Sequence, residues 1–145
     1  MIKEKEGLVQ GLYISIKGEG RKERDSIIID SKGIREDKFY AKDENRAILI
    51  TAKESYDLVQ QKNIEIAYGS LGENIVINLN PYALKEGDKI SIGDVVLVIT
   101  QNCTICNSLS KVHVDVPAIL QEDRGIFAKA LQDGEIKLGD SVTFL

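Results

Sequence analysis

The sequence contains no hydrophobic run that approaches the ~20 residues of a membrane-spanning helix, which argues against an integral membrane protein. It contains only two prolines, and hydrophobic residues make up 43% of the chain, a composition typical of a folded protein rather than a disordered one. Low-complexity tracts and linker-like segments are also lacking, so we expect residues 1–145 to form a single domain. The N-terminus lacks the apolar core of a signal peptide, and we expect a cytoplasmic location.

A basic surface field and a cysteine framework are absent as well. The net charge is −4, and the lysines and arginines are interleaved with acidic residues along the chain, which argues against nucleic acid as a partner. The sequence has two cysteines, and in a cytoplasmic chain these stay reduced, so no structural disulfide is expected. The two thiols are therefore candidates for catalysis, ligand binding or plain packing.

Short strand patterns separated by turn residues dominate the chain. Apolar alternation over residues 7–16 predicts a first strand, and the β-branched run at residues 94–100 predicts a buried one. A Gly-Asp pair recurs at residues 93–94 and 139–140, each time between two strand-like segments, which predicts two hairpins. The charged segment 17–25 is interpreted as a solvated loop. Together these patterns predict a mainly β, barrel-like domain with small helical insertions.

One helix start carries a sequence signature. Thr51 and Glu54 have the spacing of a capping box, in which each side chain accepts a hydrogen bond from the backbone N–H of the other residue. The pattern predicts a helix over residues 52–61, with Ala52, Tyr56 and Val59 on its buried face.

Both cysteines follow the most hydrophobic strand. Cys103 and Cys106 form a C-x-x-C pair, but a structural zinc site needs four ligands, and His113 is the only other good ligand nearby. A thioredoxin-type pair needs a helix N-terminus, whereas the surrounding pattern is β. Two packing residues, or a single working thiol held at the end of a rigid strand, remain open. The isolated His113 is itself either a ligand or base, or a packing residue between two valines.

Polar residues at two further points are candidates for a binding site. Glu73 and Asn74 are poor strand formers and yet lead directly into an apolar run, so they either form a turn or line a pocket. Arg124 precedes a glycine and is suited either to bind an anion with its planar guanidinium group or to form a surface ion pair.

The order and spacing of these motifs resemble a MOSC domain, the module named for the C-terminal domain of molybdenum cofactor sulfurase. The resemblance covers nearly the whole chain and rests on the motifs taken together. Its parts are an opening strand at residues 7–15, an arginine before a strand and helix at 46–58, Gly-Glu-Asn at 72–74, a Gly-Asp hairpin at 87–97, Thr-Gln at 100–101 with a cysteine after it, and an Arg-Gly strand and Gly-Asp close at 124–142.

The resemblance selects one of the two cysteines. The family cysteine stands about five or six residues after the Thr-Gln pair, which corresponds to Cys106 and leaves Cys103 as an extra residue with a packing role. In the loop after the second strand, Glu36 replaces the usual family glycine and no histidine follows. Asp37 keeps its place there and remains a candidate contact.

The resemblance implies a closed or partly closed β-barrel with a few short helices and a link to molybdenum cofactor (molybdopterin). Cys106 would be the molybdenum ligand or a persulfide acceptor in sulfur transfer. The basic residues among the candidate contacts, Lys38, Arg46 and Arg124, would hold the phosphate of the pterin. The polar pair, Glu73 and Asn74, would orient its ring.

Implied partners are molybdenum cofactor itself or a cysteine-desulfurase-type sulfur donor. The resemblance leaves two alternatives. One is a molybdenum-dependent reductase of N-hydroxylated compounds, which would need a separate electron-transfer partner because the sequence has no flavin or cysteine-rich electron-transfer motif. The other is a non-catalytic accessory or interaction domain.

Overall fold

The computed structural model describes residues 6–103, 115, 119–120 and 124–145. Strands dominate this part of the chain, with a short 3-10 helix at Glu44–Arg46 and an α-helix, α1, at Lys53–Gln60. The strands are β1 (Glu6–Ile16), β2 (Gly20–Arg24), β3 (Ser26–Asp30), β4 (Gly33–Ile34), β5 (Ile48–Ala52), β6 (Ile75–Ile77), β7 (Lys89–Ile92), β8 (Val95–Asn102), β9 (Ile126–Ala130), β10 (Gly134–Lys137) and β11 (Ser141–Phe144).

Seven strands close into a barrel, as predicted. They follow the order β11-β7-β8-β9-β5-β6-β1, and β1 pairs again with β11 to complete the ring. The pairs are antiparallel except for β5 and β6, which run parallel and are connected through α1. A register shift between Val9 and Gly11 marks a β-bulge in the first strand. Closure leaves no free edge among the seven strands.

The barrel interior is filled by alternate side chains of its strands. In β8, the buried residues Val95, Leu97 and Ile99 alternate with partly exposed neighbours, which is the period of a strand with one core face. The Arg-Gly strand expected from residue 124 is confirmed as β9, which begins at Ile126. The strand at 94–100 is confirmed and continues to Asn102.

Two local predictions about strands are wrong. Gly93 and Gly139 both have the positive φ that a tight turn needs, at 57° and 83°, but only the first turn joins a hairpin, β7–β8. At the second turn β10 pairs with β3 in a separate three-stranded sheet, while β11 joins the barrel. The segment predicted as a loop contains β2, which pairs antiparallel with residues 12–16 of β1.

The capping box is also wrong, because the Thr51 hydroxyl bonds a tertiary partner and the helix begins one residue later. The Thr51 hydroxyl donates to Glu73 at 2.7 Å, and α1 has no side-chain cap bond from its N-cap residue, Ala52. The Tyr82 hydroxyl, from a distant segment, accepts the Ala52 N–H at 2.9 Å and lies 2.6 Å from the Ser55 hydroxyl. The buried face of the helix is confirmed, since Ala52, Tyr56 and Val59 are all buried.

Within the residues that the structure describes, no helix is long and apolar enough to cross a membrane.

Candidate functional site

A cavity of about 690 Å³ opens at one end of the barrel, where β8 ends. Its wall combines residues from the end of β1, the segment before β5, the turn before β6 and the start of β9. These segments are far apart in sequence and meet because β5 pairs with both β6 and β9. We call this cavity the pocket.

The pocket has a positively charged rim. Arg21, Lys38, Lys42 and Arg46 line it, and Asp43 is the one acid among the described residues that do so. An excess of cations around a concave, partly apolar surface attracts anions, even in a protein whose net charge is −4. The rim is therefore suited to a negatively charged ligand.

Besides Arg21, which is described below, two of these cations lie over aromatic rings. The Arg46 guanidinium lies 5.3 Å from the centre of the Phe127 ring, and the Lys38 ammonium lies 5.0 Å from that of Phe39. Phe127 is buried, whereas Phe39 is 51% exposed. The cation–π contacts orient the charged groups without neutralising them, so both remain able to bind an anion.

The inner part of the pocket is apolar. Cys103, Leu49 and Phe127 pack into one small buried cluster on its wall. Cys103 is only 7% exposed, and its backbone N–H donates to the carbonyl of Gly125 at 3.1 Å. The sequence assigned this cysteine a packing role, and the structure places that packing directly in the pocket wall.

Asp37 shapes the rim from behind. Its carboxylate accepts the backbone N–H of Ser15 at 2.7 Å and that of Phe39 at 3.1 Å, while the Lys38 N–H donates to the Ser15 carbonyl at 2.7 Å. Asp37 is buried and does not line the pocket. It joins the rim loop, residues 36–42, to the end of β1 and so fixes the backbone that carries Lys38.

Asn74 lines the pocket and also ties two strands together. Its side-chain oxygen accepts the Leu49 N–H at 3.0 Å, and its side-chain nitrogen donates to the Tyr13 carbonyl at 3.1 Å. A polar residue directly before the buried strand β6 is therefore satisfied by backbone groups of β5 and β1.

Glu73 points away from the pocket. Its side chain is fully buried, and its carboxylate accepts hydrogen bonds from the hydroxyls of Thr51, at 2.7 Å, and Tyr56. Burial first, and then the charge of Glu73 and the hydrogen bond to it, raise the pKa of the Tyr56 hydroxyl above its ordinary value, so this hydroxyl stays protonated and donates. Glu73 is not among the residues that line the pocket.

Of the residues proposed from the sequence, the structure brings Lys38, Arg46 and Asn74 together around the pocket. Arg124 is partly buried and does not line it. Cys106 and His113 lie outside the described residues. The described residues contain no group of three histidine, cysteine or acidic side chains able to hold a metal ion.

Sequence reasoning missed Arg21 and Lys42. Arg21 lies on β2, and its guanidinium donates to the Ser15 hydroxyl at 2.9 Å and to the backbone carbonyl of Glu73. It also lies 5.9 Å from the centre of the Tyr13 ring. The strand that carries it, with the sequence Gly-Arg-Lys-Glu-Arg, has no apolar alternation, so only its pairing with β1 could reveal it.

Comparison with known proteins gives the family. The MOSC domain matches residues 36–143, more than half of the chain. No curated protein shows significant sequence similarity to the chain.

Solved structures share the fold. The YuaD protein from Bacillus subtilis is 21% identical, with a TM-score of 0.84, and the alignment covers 99% of this chain and 98% of that one. YiiM from Geobacillus stearothermophilus is 17% identical, with a TM-score of 0.71 over 96% of this chain and 73% of that one. YiiM from Escherichia coli is 18% identical, with a TM-score of 0.70 over 97% and 70%. With the barrel, the pocket and the matched residues in place, the chain belongs to the MOSC domain family.

Proposed function

We propose that the pocket binds molybdenum cofactor and that Cys106 serves there as the metal ligand or as a persulfide acceptor. The observation that carries this proposal is a cation-rimmed pocket with an apolar wall, at the end of the strand that leads to Cys106 in a MOSC barrel. The cofactor is a phosphorylated pterin, and the residues present fit both of its parts.

The phosphate fits the rim. Lys38, Lys42 and Arg46 are exposed cations on the pocket edge, and charge-assisted hydrogen bonds to phosphate oxygens are about twice as strong as neutral ones. Arg21 is less available, because its two terminal nitrogens already donate to Ser15 and to the Glu73 carbonyl.

The pterin ring fits the inner wall. Phe127 and Leu49 present apolar surface that a planar heterocycle can cover, and Asn74 adds a polar group at the same wall. The Asn74 amide group has two N–H donors, and the bond to Tyr13 uses one of them. The other is available to a ring nitrogen or oxygen.

Cys106 is the candidate for the residue that contacts the molybdenum or accepts the sulfur. It follows the pocket residue Cys103 by three positions, and three residues of extended chain span at most about 11 Å. A thiolate is a soft donor that suits molybdenum, and it is also the nucleophile that accepts a sulfane sulfur from a cysteine-desulfurase-type donor. When bound, the cofactor would supply two-electron redox chemistry, and a separate electron-transfer partner would then be needed.

Native mass spectrometry of the protein purified from its own cells tests this proposal. The wild-type protein should carry a pterin or a sulfur adduct, and Cys106→Ala should lose it because the thiolate is gone. Cys103→Ala is the matched cysteine control: it should unfold more easily, because it truncates the pocket wall beside Leu49 and Phe127, but it should keep the sulfur adduct, because the Cys106 thiol is still present. The proposal would be contradicted if Cys106→Ala carried as much pterin or sulfur adduct as the wild-type protein, or if the wild-type protein carried neither.

A further inference from the structure

We propose that Tyr56 and Glu73 are positioning residues that hold one wall of the pocket from behind, an inference that rests on the proposed function of that pocket. The wall in question is the turn at residues 69–73, which we call the wall turn. It carries Gly69, Ser70, Leu71 and Gly72 on the pocket side. Neither Tyr56 nor Glu73 lines the pocket itself.

One hydroxyl joins the two ends of the wall turn. The Tyr56 hydroxyl accepts the backbone N–H of Gly69 at 3.1 Å, and it donates to the carboxylate of Glu73. The separation of the first and last residues of the turn is thus set by one atom of α1. Because the pKa of Tyr56 is raised, the hydroxyl keeps its proton and its donor role throughout the physiological range.

The carboxylate extends this connection to the barrel. The oxygen that Tyr56 bonds also accepts the Thr51 hydroxyl of β5 at 2.7 Å. On the other side, the backbone carbonyl of Glu73 accepts from Arg21 of β2. The wall turn is therefore held between two strands and one helix by a fully buried acid, whose removal would leave two hydroxyl donors unsatisfied.

The backbone of the turn has one hydrogen bond of its own, from the Gly72 N–H to the Gly69 carbonyl at 3.2 Å, which leaves most of its shape to outside partners. Gly69 and Gly72 both adopt positive φ, at 90° and 87°, where glycine has many alternatives of similar energy. The bonds to Tyr56 and Glu73 select one of them. If these bonds are lost, we expect the wall to spread over several conformations and the ligand to meet a pocket that is only partly in its binding shape.

The test compares Tyr56→Phe with Tyr82→Phe in the full-length protein. Each variant loses one hydroxyl near α1: the Tyr56 hydroxyl bonds Gly69 and Glu73 of the wall turn, whereas the Tyr82 hydroxyl bonds Ala52 and Ser55 at the start of the helix. Phenylalanine at position 56 keeps the ring contact with Tyr68, whose centre is 4.8 Å away. The probe is pterin-6-carboxylate, an anionic pterin whose fluorescence reports binding.

We expect Tyr56→Phe to raise the Kd for this probe about tenfold, as the loss of roughly one net hydrogen bond implies, and Tyr82→Phe to leave it unchanged at a similar loss of Tm. Glu73→Ala should weaken binding likewise, and Glu73→Gln should restore most of the affinity because its amide oxygen still accepts from both hydroxyls. A purely structural role would shift Tm in all four variants and Kd in none, and that result would overturn the inference.

Amide hydrogen exchange separates this inference from the proposed function. In Tyr56→Phe the Gly69 N–H should exchange at least tenfold faster than in wild type, whether or not a ligand binds, and it should be unchanged in Tyr82→Phe. If the wild-type protein fails to bind the pterin but Gly69 still responds, the proposed ligand is wrong and the positioning role stands. Unchanged Gly69 exchange in Tyr56→Phe would overturn the positioning role.

Discussion

Glu36 begins the rim loop in a conformation that suits glycine. Its φ is 73°, in the left-handed region, and glycine is the residue that the family resemblance implies at this position. A side chain in this region costs about 1 kcal/mol. The nearest compensation is the Arg24–Glu36 ion pair, but its charged atoms are 3.9 Å apart and both side chains are exposed, so it contributes little.

Replacing Glu36 by glycine should therefore stabilise the protein. We expect Glu36→Gly to raise the free energy of unfolding by about 1 kcal/mol, measured by urea denaturation, because the strain at positive φ is relieved. Glu36→Ala is the matched control, since it removes the carboxylate and keeps the strained Cβ. A gain of the same size in the alanine variant would show that charge, and not backbone strain, is responsible.

At the scale of single residues, sequence patterns identified polar groups that matter but not their partners. Glu73 and Asn74 stand out because they precede a buried strand, yet their bonds to Thr51, Tyr56 and Leu49 depend on which strands become neighbours. For the same reason Thr51 looked like a helix cap. Its hydroxyl instead donates to the buried carboxylate of Glu73, a partner that a distant part of the chain supplies.

Among the elements, the wall turn offers a clean comparison of two glycines. Gly69 and Gly72 have nearly the same positive φ, so alanine carries a similar backbone cost at both. A Cβ at Gly69 would stand 2.9 Å from a carbon of the Tyr13 ring, whereas a Cβ at Gly72 would meet open space. The two substitutions thus differ mainly in one contact.

Gly69→Ala should be the more destabilising of the two. We expect Gly72→Ala to cost about 1 kcal/mol of unfolding free energy and Gly69→Ala to cost about 1–2 kcal/mol more, because the Tyr13 ring must move to relieve the contact. Urea denaturation of both variants gives the difference. Equal costs would show that the ring moves freely and that this side of the pocket is not rigid.

Elements were predictable where their side chains alternate. The strands β1 and β8 have clear apolar periodicity. In contrast, β2 has no apolar side chain and lies outside the closed barrel, so its sequence has no periodicity that predicts a strand. The two Gly-Asp segments are similar in sequence and differ in pairing because β10 finds β3 as its partner. Turn chemistry determines the local bend, and long-range pairing determines the sheet.

At the scale of the whole molecule, the many short strands and the family resemblance predict the barrel. They predict only part of the cationic rim. Lys38 and Arg46 were identified from motifs, whereas Lys42 and Arg21 were not, because their charges become one rim only when segments from both sides of the barrel meet. The net charge of −4 conceals this local excess of cations.

The central claim is that this rim holds an anionic pterin cofactor. The most direct measurement is the pterin and molybdenum content of protein purified from its own cells, in wild type and in the double variant Lys38→Glu/Arg46→Glu. The charge-matched control is Lys53→Glu/Lys137→Glu, which reverses two cations that pair with Asp57 and Glu135 and do not line the pocket.

We expect the rim variant to lose at least nine tenths of its pterin, because reversing two charges weakens the binding of an anion by more than about 1.4 kcal/mol. The control variant should keep the wild-type pterin content. Equal pterin content in the two double variants, or none in the wild-type protein, would contradict the account.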